Sequence, residues 1–217
     1  MPSREKIKEG YYYHLFNRGN NETTLFSGHK DYISFLNKYA LYCFFVLDTY
    51  AYCLLNNHFH LLVRTRTREE QQKLKLQNPF SITDPERVNP DKILNASKQL
   101  SHLFNSHAQS MNKKYNRTGS LFEKPFHRKS VSDEHYFSRL VCYIHWNSQL
   151  HGLVKDFRTY PYSSYGLFMN KNHSRLNKKE VLNCFGGLEG FNEAHRVLPK
   201  GLSREFMLET RPKHYRK

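Results

Sequence analysis

The sequence has no long hydrophobic run. Its longest, Ala40–Leu47, falls well short of the roughly 18 residues needed to cross a bilayer, and the mean hydropathy is −0.78. A spanning helix is excluded, and that run reads as a buried helix end or strand. The opening segment, MPSREKIKEG, lacks the apolar centre of a secretory signal. Cysteine is scarce: Cys43, Cys53, Cys142 and Cys184 make no C-x-x-C pair. That argues against a disulfide framework or structural zinc, and for buried thiols in a reduced, cytoplasmic setting. There is no Walker loop, no G-x-G-x-x-G and no tandem repeat, which sets aside nucleotide-cradling loops and solenoids. Acidic residues are also few. Asp and Glu number 19 against 34 Lys and Arg, a net charge of +15 before any of the 13 histidines is counted. Such a surplus fits a polyanionic partner: nucleic acid, an anionic membrane surface or an acidic protein.

What is plentiful is aromatic: 15 Tyr and 16 Phe in 217 residues. The length suits one domain with a real core. Basic plus aromatic composition suits a surface that neutralises phosphates and stacks bases, and equally an aromatic core under a solvated basic shell.

Along the chain, residues 11–17 alternate as a strand, and Arg18-Gly19-Asn20-Asn21 is turn chemistry. From Asp31, Ile33, Phe35, Leu36, Tyr39, Ala40 and Cys43 recur at helical spacing. Phe44–Leu55 reads as a second strand, turned at Asn56-Asn57 into a third over His58–Arg64. Residues 66–90, polar and interrupted by Pro79, Pro85 and Pro90, read as a long loop or insertion. A helix follows over Asp91–Tyr115, a strand over Leu121–Val131, and a helix over 133–149 with Ser132-Asp133-Glu134 as its cap. The order β-α-β-β-α-β-α predicts an α+β, ferredoxin-like split β-α-β antiparallel sheet with helices on one face. One domain is expected over 1–168 and a basic, helical C-terminal extension over 169–217.

The sharpest local pattern is His58-Phe59-His60. In a strand, i and i+2 share a face, so the two imidazoles project together. Paired imidazoles are natural metal ligands, though two ordinary strand histidines would look the same. On the helix over 133–149, Tyr143 and Asn147 fall about 40° apart on one edge of the apolar stripe. There they could meet the histidines, or simply pack. The combination carries more than its parts. Two imidazoles and an amide oxygen leave open coordination positions, and with waters they suit Mg²⁺ or Mn²⁺. A tyrosine hydroxyl beside such a metal can attack phosphorus and form a covalent ester, conserving the bond for later reversal.

At these residues the chain resembles the HUH-type single-tyrosine transposases of insertion sequences, in particular the REP-associated tyrosine transposase branch. The resemblance rests on ordered blocks: His14-Leu15-Phe16-Asn17-Arg18-Gly19-Asn20-Asn21; Ala51-Tyr52-Cys53-Leu54 with His58-Phe59-His60-Leu61-Leu62-Val63; Gly119-Ser120-Leu121-Phe122-Glu123; Phe126-His127-Arg128; Tyr143-Ile144-His145-Trp146-Asn147; His151-Gly152-Leu153-Val154; and Tyr160-Pro161-Tyr162-Ser163-Ser164-Tyr165. It implies a divalent metal, Mg²⁺ or Mn²⁺, at His58, His60 and Asn147, and Tyr143 as nucleophile. It implies cleavage of single-stranded DNA beside a hairpin to a 5′-phosphotyrosine and a 3′-hydroxyl, by a monomer or a homodimer. One departure is Ser148, where the family usually has proline. Residues 171–217 have no counterpart in it.

DNA contacts are expected from Arg18, Asn20 and Asn21 after the first strand. A basic cluster, Lys113, Lys114, Arg117, Lys124, Arg128 and Lys129, reads as a phosphate track or a solvated face. Phe122, Phe126 and Tyr115 could stack bases among them. His102, His107, His127, His135 and His145 read as surface or packing residues. The competing functions are a strand-transferring enzyme, a non-catalytic hairpin-binding module and a water-using nuclease. The full set of His58, His60, Tyr143 and Asn147 favours the first.

Overall fold

Alternation of aromatic and aliphatic residues makes Tyr12–Arg18 the first strand, β1, sending Tyr13 and Leu15 to one face and His14, Phe16 and Arg18 to the other. The computed structural model describes residues 6–78, 88–123, 125–170 and 174–198. Helix α1 (His29–Cys43) is started by the Asp31 carboxylate, which accepts from the backbone N–H groups of Ser27 and Gly28 at 3.0 and 3.1 Å. Strands β2 (Leu47–Leu54) and β3 (His58–Thr65) form a hairpin. Helix α3 (Ala96–Lys114) is capped by Asn95, and strand β4 is His127–Val131. Helix α4 (Glu134–Leu150) begins where Asp133 accepts from the Tyr136 N–H at 2.7 Å.

The sheet order is β2-β3-β1-β4 with every neighbour antiparallel, the split β-α-β arrangement expected. The crossover helices α1 and α3 share one face. Phe35, Leu100 and Leu103 pack there on Tyr13, Leu15, Phe59, Leu61 and Val63. The expectation of helices on one face alone is corrected by α4, which covers the other. Its Phe137, Leu140, Val141 and Ile144 pack against Cys53, Leu62 and Val131. The reason lies in β3, seven of whose eight residues are buried, so it needs a layer on each side.

The segment expected to be a loop over 66–90 contains a helix, α2 (Arg68–Gln77). Its inward face is polar, so no apolar period marks it. The ammonium of Lys75 donates to the carbonyls of Asn89 (3.0 Å) and Lys92, and Gln71 exchanges two hydrogen bonds with the Leu94 backbone. Its start was legible, because Thr67 and Glu70 form a reciprocal capping box. Residues 79–87 of that expected loop lie outside the described residues. The strand expected over 121–131 is shorter. Leu121–Glu123 instead fastens to the end of β1, with the Asn20 N–H on the Leu121 carbonyl and the Glu123 N–H on the Arg18 carbonyl, both at 2.9 Å.

After α4, a 3-10 turn (Phe157–Thr159) and helices α5 (Tyr165–Met169), α6 (Lys178–Cys184) and α7 (Leu188–Ala194) complete the described fold. Charge is the sequence's main signal over 169–217. Yet within 174–198, Val181, Phe191 and His195 are fully buried, the first two in the core that α4 shares with the sheet. No helix among the described residues is long and apolar enough to cross a membrane.

Candidate catalytic site

Strand pairing builds one half of the site. Directly opposed residues of an antiparallel pair share a face, so Arg18 stands beside His58 and Phe16 beside His60. Helix α4 supplies the other half through residues four apart. Tyr143 sets its ring edge-on to His60, with centroids 5.6 Å apart. Two turns on, His151 meets His58 with centroids 4.5 Å apart. Asn147 lies between them on the same helical edge.

The hydrogen bonds orient these groups. His58 Nδ1 lies 2.7 Å from the Asn57 amide oxygen, and His60 Nδ1 lies 2.9 Å from His14 Nε2. These contacts spend Nδ1 of each ring and leave Nε2 as the unspent nitrogen. The Asn147 Nδ2 donates to the Tyr143 carbonyl at 2.8 Å, which turns Oδ1 the other way. His58 Nε2, His60 Nε2 and Asn147 Oδ1 are all buried with no hydrogen-bond partner. Burial holds both imidazoles well below their ordinary pKa, and the neighbouring histidines and Arg18 push the same way. Both are therefore neutral near pH 7, the form that binds metal. Among the described residues, no group of three His, Cys, Asp or Glu side chains surrounds a metal position. The third donor here is an amide oxygen, a ligand type that hard divalent ions take.

Three participants escaped the sequence reading. His14 and Asn57 orient the imidazoles, and His151 closes the far end. His151 carried a signal, its position four residues beyond Asn147, but as the residue before Gly152 it reads as a helix stop.

The expected DNA contacts scatter. Arg18 is at the site. Asn20 and Asn21 are exposed in a 3-10 turn, Asn21 at a φ of 51°. Lys113 is exposed, while Lys114 pairs with Asp31 at 2.5 Å, where the Tyr115 hydroxyl also donates. Arg117 is half-buried, with Nη1 lacking a partner. Lys124 lies outside the described residues. Lys129 is opposite His14 on the site's face, with its ammonium 5.1 Å from the Tyr136 ring centre. Arg128, opposite Leu15, points to the other face and lies over the Phe126 ring. Phe122 and Phe126 are core, packed around Phe104.

A strand-borne histidine pair facing a helix-borne tyrosine and asparagine, on a split β-α-β sheet, is the arrangement that the resemblance to the HUH-type single-tyrosine transposases implies. Comparison with known proteins finds similarity to the REP-associated branch. A Haemophilus influenzae protein whose assigned name is REP-associated tyrosine transposase is 26% identical over 137 residues, spanning 62% of this chain and 69% of that protein. A solved structure of a REP-associated tyrosine transposase bound to a REP hairpin has a similar fold. Its TM-score is 0.56 at 15% identity, covering 79% of this chain and 86% of that one. No family model matches. The resemblance to the REP-associated tyrosine transposases is thus present in both sequence and fold.

Proposed function

We propose that this chain cleaves and rejoins single-stranded DNA at hairpin or palindromic ends, through a covalent 5′-phosphotyrosine on Tyr143. The observation that carries the reading is that His58 Nε2, His60 Nε2 and Asn147 Oδ1 are all buried without a partner, on the strand and the helix where His60 meets that tyrosine. These residues would hold Mg²⁺ or Mn²⁺, which when bound polarises a phosphodiester oxygen. Tyr143 Oη forms a bond to phosphorus as the bond to O3′ breaks. The phenolic proton goes to solvent and O3′ leaves as a hydroxyl. A 3′-hydroxyl attacking the phosphotyrosine reverses the exchange and frees the tyrosine. His14 and Asn57 keep both imidazoles in the metal-ready tautomer throughout. Tyr143 is 1% exposed, so a scissile phosphate reaches it only after α4 shifts against β3.

The test is a denaturing gel of labelled hairpin DNA incubated with the protein and Mn²⁺. Wild type forms a covalent adduct. Tyr143→Phe forms none and keeps its hairpin affinity, since only one oxygen is removed. An adduct in that variant would overturn the nucleophile. Hairpin binding by wild type with no adduct would instead favour a binding module, a reading to which the sealed tyrosine gives some ground.

A further inference from the structure

Arg18 ends β1 opposite His58, on the face that carries the histidine pair. Its backbone is held from several sides. The Arg18 N–H donates to Asn17 Oδ1 at 3.0 Å, its carbonyl accepts from the Glu123 N–H, and the next N–H, of Gly19, donates to the Asn57 carbonyl at 2.8 Å. The turn that follows is tight. A Cβ on Gly19 would fall 1.7 Å from the Thr23 carbonyl oxygen, so only glycine lets the chain leave β1 at this point. The arginine is therefore delivered to the site by fixed backbone.

Two of its guanidinium nitrogens are not used by the fold. Nε and Nη1 are buried with no hydrogen-bond partner, and no carboxylate pairs with it among the described residues. Half-burying an unpaired guanidinium is costly unless an anion completes it. Placed beside a pair of imidazoles that would hold a dication, it adds repulsion that only an anionic ligand offsets. A phosphodiester supplies that charge, and arginine's planar donors match phosphate oxygens.

We propose that Arg18 is a catalytic residue that grips a non-bridging oxygen of the scissile phosphodiester and stabilises the charge gathering there during exchange. The proposal rests on the phosphotyrosine reading above. Arg18 stays protonated throughout: the bond to Tyr143 Oη forms, the bond to O3′ breaks, and no proton moves to or from the guanidinium. Its worth is that of a preorganised donor aimed at developing negative charge.

The experiment compares wild type, Arg18→Gln and Arg18→Lys on two hairpin substrates. One has a native scissile linkage and the other an uncharged methylphosphonate at that single position. On the native linkage, Arg18→Gln should slow single-turnover adduct formation about 10²–10³-fold, the usual loss for one such donor. Arg18→Lys should fall between, keeping charge without the planar fork. On the methylphosphonate, wild type and Arg18→Gln should react within a few-fold of each other, because the charge that the guanidinium meets is gone. Affinity gives a second readout in the Tyr143→Phe background, where nothing is cleaved. There the single methylphosphonate should weaken binding when Arg18 is intact and not when Arg18→Gln is added. Equal losses on both substrates would overturn the proposal and make Arg18 a positioning residue. A loss confined to affinity, whichever linkage is present, would also overturn it and return Arg18 to a general phosphate contact. Failure of the parent reading looks different: wild type forms no adduct, or Tyr143→Phe still does.

Discussion

Two buried histidine clusters lie on opposite sides of helix α4. His60, His145 and His195 are all fully sealed, and burial pulls each imidazole below its ordinary pKa. The hydrogen bonds tell the clusters apart. On the side that carries His145, His195 Nδ1 donates to the Phe191 carbonyl at 2.7 Å, which leaves Nε2 to accept from His145 Nδ1 at 2.8 Å. His145 Nε2 then accepts from the Ser164 hydroxyl at 2.8 Å, and Ser164 Oγ accepts from the Tyr52 N–H at 2.9 Å. Every ring nitrogen of that chain is spent, and it ties α7, α4 and the residues before α5 to strand β2. On the sheet side, His58 and His60 each keep an unspent Nε2. Burial and depressed basicity do not separate a binding site from a structural knot. Leftover bonding capacity does.

The largest test of that contrast removes one unspent nitrogen. His58→Ala or His60→Ala should take adduct formation to background and abolish the Mn²⁺ binding that calorimetry detects in wild type; equal Mn²⁺ affinity would make the pair structural. His14→Ala, which frees only His60 Nδ1, should weaken Mn²⁺ binding by about 10–100-fold. Asn147→Ala should weaken it less than His60→Ala, because water can replace an amide oxygen in a hard-metal shell.

The opposite cluster should respond in stability instead. His145→Ala strands His195 and the Ser164 hydroxyl and opens a cavity, costing about 2–4 kcal/mol. Each kcal/mol should lower Tm by about 2–4 °C for a chain of this size. Mn²⁺ affinity at temperatures where the variant is folded should match wild type. A stable variant with lost metal binding would reverse the roles assigned to the two clusters.

Acid should also reach the closed cluster. His195 is pushed down to about 4 by burial, with Arg158 adding to the shift against the Phe191 bond, and His107 likewise to about 4, mainly by burial. In the unfolded chain both return to about 6.5. Between those values the unfolded state binds more protons, so this stability is whole above about pH 6.5 and is lost as pH falls towards 4. The loss should be about 1–3 kcal/mol per histidine, read from denaturant midpoints across pH. A flat profile between pH 7 and 4.5 would contradict it. Smallest is the effect of Lys129, at the flank of the open cluster. Lys129→Ala should reduce the slope of log affinity against log salt by about 0.7–0.9 for hairpin DNA. Arg128→Ala, on the other face, should change it less, and equal changes would place both on one track.

The sheet and the crossover helices α1 and α3 were legible because their cores repeat at periods of two and 3.6 residues. Helix α2 was not, since Gln71 and Lys75 face inward where a period needs apolar residues. Within the candidate site, the pairing of His58 with His60 and the stacking of Tyr143 on Asn147 follow from local geometry alone. His14 and Asn57 gave no signal, because their roles consist of hydrogen bonds to those imidazoles. The basic cluster is divided by the fold, since consecutive strand residues such as Arg128 and Lys129 take opposite faces.

The sequence by itself determined the element order, the face that His58 and His60 share, the edge that carries Tyr143 and Asn147, and a charge suited to phosphate. Those depend on spacing along one element, which covalent geometry and helical or strand period set. Only the tertiary structure decided that α4 covers the second face and brings Tyr143 to His60. It also decided that His145 belongs to a closed knot while His60 stays open, and that Arg18 stands beside His58 with its guanidinium unspent. These depend on what each side chain meets across the sheet or between helices. Which nitrogen is bonded and which is left over is settled by partners far away in the chain.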